Sequence, residues 1–253
     1  MKFEGCAALV TGGGSGLGAG TARALAARGV KVAVLDLNET TAKAVAHDIG
    51  GVAVACDVAD GDSMAAAIAA ARAAHGPARL LINCAGVGTP QKAVGRDGPM
   101  PLENFMKVIN INLVGTFNAI RLAAADMQGL EPLEDGERGV IVNTASVAAF
   151  DGQIGQPAYA ASKGGIVALT LPLAREFASF GIRVVTVAPG IFSTPMLHGL
   201  PDEVKESLAK SVPFPQRLGI PEDYAALAVH IIENRMLNGE VIRLDGAIRM
   251  APR

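Results

Sequence analysis

The sequence predicts an α/β protein built on a doubly wound parallel sheet. Short β-branched runs alternate with longer alanine-rich segments along the chain. The short runs are apolar at consecutive positions, as strands covered on both faces are, instead of alternating. A glycine cluster, Thr11-Gly12-Gly13-Gly14-Ser15-Gly16-Leu17-Gly18, lies between the first such run and the first helical pattern. Right-handed crossovers turn this alternation into a sheet with helices on both sides.

The elements read in order as follows. Residues 6–11 form a strand and 16–28 a helix, with Gly29 placed to end it. Residues 31–36 form the second strand, 40–49 the second helix, 52–56 the third strand, 62–75 the third helix and 80–84 the fourth strand. An irregular stretch at 87–99 precedes a long helical segment, 102–127. Residues 129–139, rich in Gly, Glu and Asp, read as a loop. Strands at 140–144, 182–187 and 240–244 then alternate with helices at 159–180 and 221–233. No repeat, linker or composition shift divides the chain, so one domain spanning 1–253 is expected, with a substrate lid at about 193–211.

With 253 residues, 50% hydrophobic and 18% charged, the chain can bury a large core. A net charge of −2 gives no electrostatic reason for a nucleic-acid partner. Cys6, Cys56 and Cys84 are odd in number and form no C-x-x-C pair, which argues against a disulfide framework and against a zinc site. No metal is expected. The first residues show no charged region ahead of an apolar one, and no run reaches the ~18 uninterrupted apolar residues of a membrane span. The expectation is a soluble protein with no membrane partner, cytoplasmic in a bacterium or in the mitochondrial matrix of a eukaryote.

The glycine cluster suits a dinucleotide. Glycine lets the backbone turn sharply and approach a pyrophosphate, and the following helix N-terminus offers free N–H groups and a positive dipole end. The spacing of Gly12, Gly16 and Gly18 is G-x-x-x-G-x-G, and Ser15 and Leu17 belong to the same turn. Asp36 ends the second strand, 18 residues after Gly18. A carboxylate there can accept from both ribose hydroxyls and repels a 2′-phosphate, so NAD is the expected cofactor.

A second constellation carries the chemistry. Ser146 lies two residues beyond the fifth strand, and ligands of an open α/β sheet collect at the carboxyl ends of its strands. Thirteen residues later, Tyr159-Ala-Ala-Ser-Lys163 opens a long helix. Residues i and i+4 share a helix face, so a lysine cation stands beside the phenol, favours its phenolate and makes the proton transferable. Ser146 can hold a substrate oxygen.

Taken with Asn83-Cys84-Ala85-Gly86 and Pro189-Gly190, these motifs resemble the short-chain dehydrogenase/reductase family over nearly the whole chain. The resemblance implies a Rossmann-type, seven-stranded parallel sheet and a catalytic tetrad completed by Asn112, which in that family anchors a water in a proton relay to the lysine. It implies an adenine contact at Asp57 and Val58 and a strand end beside the nucleotide at Asn83, Cys84 and Ala85. Contacts to the nicotinamide side are implied at Pro189, Phe192 and Thr194. Segments 139–150, 162–167, 212–215 and 238–250 resemble the type 2 3-hydroxyacyl-CoA dehydrogenase subfamily, also called 17β-hydroxysteroid dehydrogenase type 10. That subfamily has extra residues where 87–99 and 129–139 lie.

The leading expectation is therefore NAD-dependent interconversion of a (3S)-3-hydroxyacyl-CoA and its 3-oxoacyl-CoA. Tyr159 takes the proton, Lys163 lowers the phenol pKa and holds the nicotinamide ribose, and Ser146 orients the substrate oxygen. Gln153 and Gln156 border the substrate. Lys92 and Arg96 could meet CoA phosphates, but solvated loop charges are the simpler reading of both. Another hydrophobic alcohol, such as a hydroxysteroid, suits the apolar lid residues Met196, Leu197, Leu200, Val204 and Leu208. The intact Ser, Tyr and Lys argue against a non-catalytic dinucleotide-binding scaffold. The family resemblance also suggests a homotetramer, assembled through the apolar helices 102–127 and 159–180.

Overall fold

The computed structural model describes residues 1–199 and 201–252. The strands β1 (Ala7–Thr11), β2 (Lys31–Asp36), β3 (Val52–Ala55) and β4 (Leu80–Asn83) alternate with the helices α1 (Gly16–Ala26), α2 (Glu39–Ile49) and α3 (Gly61–His75). The 87–99 insert folds its end into a small hairpin, β5 (Val94–Gly95) and β6 (Gly98–Pro99). The long central helix has two α-helical parts, α4 (Leu102–Ile109) and α5 (Gly115–Gln128), joined by a π-helical turn at Asn110–Val114. Then come β7 (Gly139–Thr144), α6 (Pro157–Phe177), β8 (Ile182–Pro189), α7 (Pro195–His198), α8 (Asp202–Lys210), α9 (Pro221–Glu233) and β9 (Val241–Leu244).

The main sheet has seven strands in the order β3-β2-β1-β4-β7-β8-β9, all parallel. The chain winds outward from β1 to β3, returns, and winds the other way from β4. The reversal opens a crevice at the carboxyl ends of β1 and β4, where an open α/β sheet binds its ligand. The strands carry two cores because their side chains alternate. Ala8, Val10, Val32, Val34, Leu80 and Val140 face α1, α2 and α9, whereas Ala7, Leu9, Leu35, Leu81, Ile141 and Val184 face α3, α5 and α6.

Local signals set the helix ends. Asn38 caps α2 by accepting from the Thr40 and Thr41 N–H groups at 3.1 and 3.2 Å, and Gly50 closes it in the left-handed region. Pro157 starts α6 two residues earlier than the pattern predicts, a position that suits proline because its N–H would have no partner there. The lid region, unassigned from sequence, holds the short α7 and the polar α8, which buries none of its residues. Leu200, one of the lid residues singled out above, lies outside the described residues.

Leu102–Gln128 is long and apolar enough, by length and composition, to cross a membrane, but half of its most apolar window is buried within the protein. The second insert is tied down by arginines: Arg138 donates to the Leu130 and Phe180 carbonyls at 2.7 and 3.1 Å, and Arg79 to that of Glu131 at 2.9 Å. Arg183 on β8 is buried. Its Nε donates to Glu137 at 2.8 Å, and its other nitrogens reach the carbonyls of Ile231 and Ile232 in the last turn of α9 and of Asn234 and Leu237 just beyond it.

Candidate active site

The glycine turn is shaped by close backbone approach. Gly12 has φ +62°, and a Cβ there would stand 2.7 Å from the Ala85 nitrogen, at the end of β4. A Cβ on Gly18 would lie 2.2 Å from the Gly12 carbonyl oxygen. No other residue fits either position. The turn thereby brings the N-terminus of α1, with its unpaired N–H groups, to the crevice. Ser15 is the exposed N-cap, and Leu17 packs partly on the core below. At the far side Asp36 accepts the Gly14 N–H through one carboxylate oxygen and the Asn38 N–H through the other, each at 2.9 Å. A free helix N-terminus beside a fixed carboxylate fits a dinucleotide, with its pyrophosphate on α1 and a ribose at Asp36.

Next to this cradle stand the residues of the second constellation. Ser146 caps a 3₁₀ turn that follows β7, its Oγ accepting the Ala148 N–H at 3.1 Å. Tyr159 and Lys163 lie in the first two turns of α6, and Lys163 Nζ is 5.8 Å from the centre of the Tyr159 ring. The lysine is buried and donates to the Thr144 carbonyl at 2.8 Å. Burial lowers its pKa to about 8. Burial pushes the Tyr159 phenol above its ordinary value, and a hydrogen bond with Ser146 opposes that rise. The expectation that Lys163 brings the phenol down is not met in this arrangement. Burial of the phenol outweighs the Ser146 hydrogen bond, and the Lys163 ammonium gives its own hydrogen bond to the Thr144 carbonyl.

Asn112 lies in the π-helical turn and is fully buried. Its side chain exchanges two hydrogen bonds with the Val87 backbone, at 2.8 and 2.9 Å, and donates to Ser162 Oγ at 3.0 Å. Ser162 in turn donates to the Tyr159 carbonyl at 2.8 Å. The asparagine therefore holds the strand-end loop after β4 against the start of α6, and π turns recur at such sites.

Residues 6–205 match the family model described as short chain dehydrogenase. The chain belongs to the short-chain dehydrogenase family. Among its relatives, the 3-hydroxyacyl-CoA dehydrogenase type-2 of Drosophila melanogaster is 54% identical over 248 residues, covering 96% of this chain and 97% of the relative. The crystal structure of 3-hydroxyacyl-CoA dehydrogenase type-2 from Mycobacterium avium matches with a TM-score of 0.95 at 44% identity, covering 99% of this chain and 98% of that one. The 3-ketoacyl-(acyl-carrier-protein) reductase from Brucella melitensis, crystallised in complex with NADH, matches with a TM-score of 0.86 at 31% identity, covering 98% of this chain and all of that one.

The remaining sequence-selected residues of the dehydrogenase surround this centre. Asp57, exposed after β3, accepts the Ala59 N–H at 2.9 Å, and buried Val58 packs against Gly115. Asn83 donates to Asn143 at 2.9 Å, and Cys84 and Ala85 carry the β4 end past Gly12. Beyond Pro189, the buried Phe192 ring covers Gly219, and Thr194 begins α7 beside Gly16. Gln153 and Gln156 lie in the loop before α6: Gln153 Nε2 donates to the Ala251 carbonyl of the C-terminal segment at 2.9 Å, and Gln156 Oε1 accepts the Gln153 N–H at 3.2 Å. The Gln91 N–H donates to the Gly155 carbonyl at 2.7 Å, which brings the first insert against this loop, with Lys92 and Arg96 exposed beyond it.

Three neighbours escape sequence reasoning. Gly14 anchors Asp36, the Thr144 carbonyl holds Lys163, and a Cβ on Gly86 would come within 3.1 Å of Asn112 Oδ1. Gly14 and Gly86 stand inside motifs already noted, but nothing in the sequence distinguishes them from their neighbours. Thr144 meets Lys163 through its backbone carbonyl, a contact that any residue type could make and that leaves no mark in the sequence.

Proposed function

We propose that this dehydrogenase interconverts a (3S)-3-hydroxyacyl-CoA and the corresponding 3-oxoacyl-CoA, with NAD(H) as its cofactor. The observation that carries the chemistry is the meeting of Ser146, the Tyr159 phenol and the buried Lys163 beside the glycine turn. The 54% identity to a 3-hydroxyacyl-CoA dehydrogenase type-2 supports the substrate class.

Gly12, Ser15, Gly16, Leu17 and Gly18 would hold the pyrophosphate, Asp36 the adenosine ribose, and Asp57 with Val58 the adenine. Asn83, Cys84 and Ala85 would line the cofactor, Lys163 would hold the nicotinamide ribose, and Pro189, Phe192 and Thr194 would border the carboxamide. The chemistry that a bound nicotinamide would supply is acceptance of the carbinol hydrogen with its electron pair, or its donation in the reverse direction. Ser146 Oγ orients the substrate oxygen. Tyr159 takes the hydroxyl proton during oxidation and returns it during reduction. With a pKa of about 8, Lys163 is mostly charged at neutral pH and can donate to the nicotinamide ribose. Asn112 sustains the site by fixing Val87 and Ser162.

A hydroxysteroid or another hydrophobic alcohol is the second reading. Phe150 and Ile154, in the loop between β7 and α6, are 49% and 52% exposed and offer apolar surface to such a substrate. The experiment is a side-by-side assay of acetoacetyl-CoA, its CoA-free thioester analogue, a 17β-hydroxysteroid and a short ketone. The CoA thioester should show the highest kcat/KM, because the remote CoA portion helps orient the reacting carbonyl. A strong preference for the steroid, or no loss on removing CoA, overturns the acyl-CoA assignment and leaves the dehydrogenase chemistry intact.

A further inference from the structure

The Thr144 carbonyl that receives Lys163 belongs to a residue whose side chain is also engaged. Thr144 Oγ1 lies 2.7 Å from the Tyr224 hydroxyl and 3.5 Å from Cys84 Sγ, and Cys84 Sγ lies 3.8 Å from the same Tyr224 hydroxyl. Each of the three groups has one hydrogen to donate and can accept one. A closed ring satisfies all of them: the Thr144 hydroxyl donates to Cys84, the Cys84 thiol to Tyr224, and the Tyr224 hydroxyl to Thr144. Tyr224 is 0% exposed, so water cannot replace a missing member at its hydroxyl. A buried polar group that loses its partner is expensive, and that expense holds the ring closed.

The ring joins three separate parts of the fold. Cys84 follows β4, Thr144 ends β7, and Tyr224 comes from α9. Helix α9 packs directly on α1, the helix of the glycine turn; a Cβ on Gly20 would stand 2.6 Å from the Pro221 side chain. We propose that Tyr224 is a positioning residue: through the ring with Cys84 and Thr144 it fixes the carbonyl on which the Lys163 ammonium rests. The inference builds on the reading of Lys163 as the group that holds the nicotinamide ribose and assists Tyr159.

A hydrogen bond to the charged form opposes the desolvation that draws the Lys163 pKa down to about 8. The titratable groups around the ammonium are Cys84 after β4, Tyr159 on its own helix and, one residue removed, Tyr224 on α9. Burial pushes the ionisation of all three upward, so they are neutral at pH 7. A displaced Thr144 carbonyl should therefore let the lysine lose its proton at a lower pH.

The test uses Tyr224→Phe, Thr144→Val, their double variant and Thr144→Ser, with NADH binding measured by fluorescence from pH 6 to 10. Tyr224→Phe should bind NADH about fivefold more weakly, the scale of one net hydrogen bond. The pH at which affinity falls should also move down. Thr144→Val should reproduce both effects, the double variant should be no worse than either single one, and Thr144→Ser should restore wild-type behaviour. Turnover should follow, with kcat reduced and substrate KM unchanged. If Tyr224→Phe fails to fold, the contrast between Thr144→Val and Thr144→Ser decides alone. NADH affinity within twofold of wild type at every pH, or losses that multiply in the double variant, overturns the proposal. A wild-type enzyme that ignores 3-oxoacyl-CoA overturns only the substrate assignment, because NADH binding needs no substrate.

Discussion

Asp36 accepts the Gly14 N–H at 2.9 Å, which ties the end of β2 to the middle of the glycine turn. The carboxylate is thus fixed where an adenosine ribose would lie, and it opposes a 2′-phosphate by like charge. The enzyme should prefer NAD to NADP. Asp36→Ala should lower kcat/KM for NAD by about 10- to 100-fold, the range for hydrogen bonds to a charged group, and relax the preference. Equal kcat/KM for the two cofactors in the unmodified protein contradicts this role.

Tyr159→Phe keeps the ring and removes the transferable proton. NADH should still bind, while kcat falls by about 10²-fold or more. Retention of more than a tenth of wild-type kcat would show that another group moves the proton.

Lys163 makes stability depend on pH. Its pKa drops from 10.5 to about 8 on folding. Below pH 8 it is charged in both states and destabilises the fold by about 3 kcal/mol, the scale of such a shift. Between pH 8 and 10.5 the folded protein has released a proton that the unfolded chain keeps, so stability rises with pH; above 10.5 the penalty is gone. Lys163→Met should therefore have a higher urea midpoint than wild type at pH 7, and the gap should shrink toward pH 10.5. A constant gap across that range would place the benefit elsewhere.

Assembly can be tested on the long helices. Phe177 is buried in the core, whereas Met106, Val114, Phe117 and Leu171 are 42%, 44%, 45% and 43% exposed. The family resemblance suggests a homotetramer, in which these side chains on α4, the π-helical turn, α5 and α6 would be covered. Sedimentation at micromolar concentration should show the tetramer, and Phe117→Glu should shift it to smaller species. A wild-type monomer at that concentration rules the assembly out.

The alternating pattern, the glycine turn, Asp36 and the Ser146, Tyr159, Lys163 set were legible because each rests on local spacing or on residue type at a strand end. The lid helices were not, because α7 is one turn long and α8 has no buried face to leave an apolar period. The upward direction of the Tyr159 pKa is hidden from the sequence for a different reason. Spacing placed a charge near the phenol but could not show how deeply both groups are buried. The ring of Cys84, Thr144 and Tyr224 joins residues 60, 80 and 140 positions apart, beyond the reach of any local pattern. The hydrogen bonds by which Gln153 and Gln156 close their loop on itself and on the C-terminal segment also leave no local pattern.

Arg183 has a consequence for how the molecule opens. One guanidinium supplies donors to carbonyls at the end of α9 and, through Glu137, grips the second insert. A cation at a helix C-terminus also opposes the negative end of the helix dipole. Releasing any one of these partners leaves a buried charge short of hydrogen bonds, so β8, the end of α9 and the insert should unfold as a single cooperative unit. Their amides should exchange with solvent at one shared, slow rate, while α8, with nothing buried to hold it, exchanges early and leaves the rest of the protein closed.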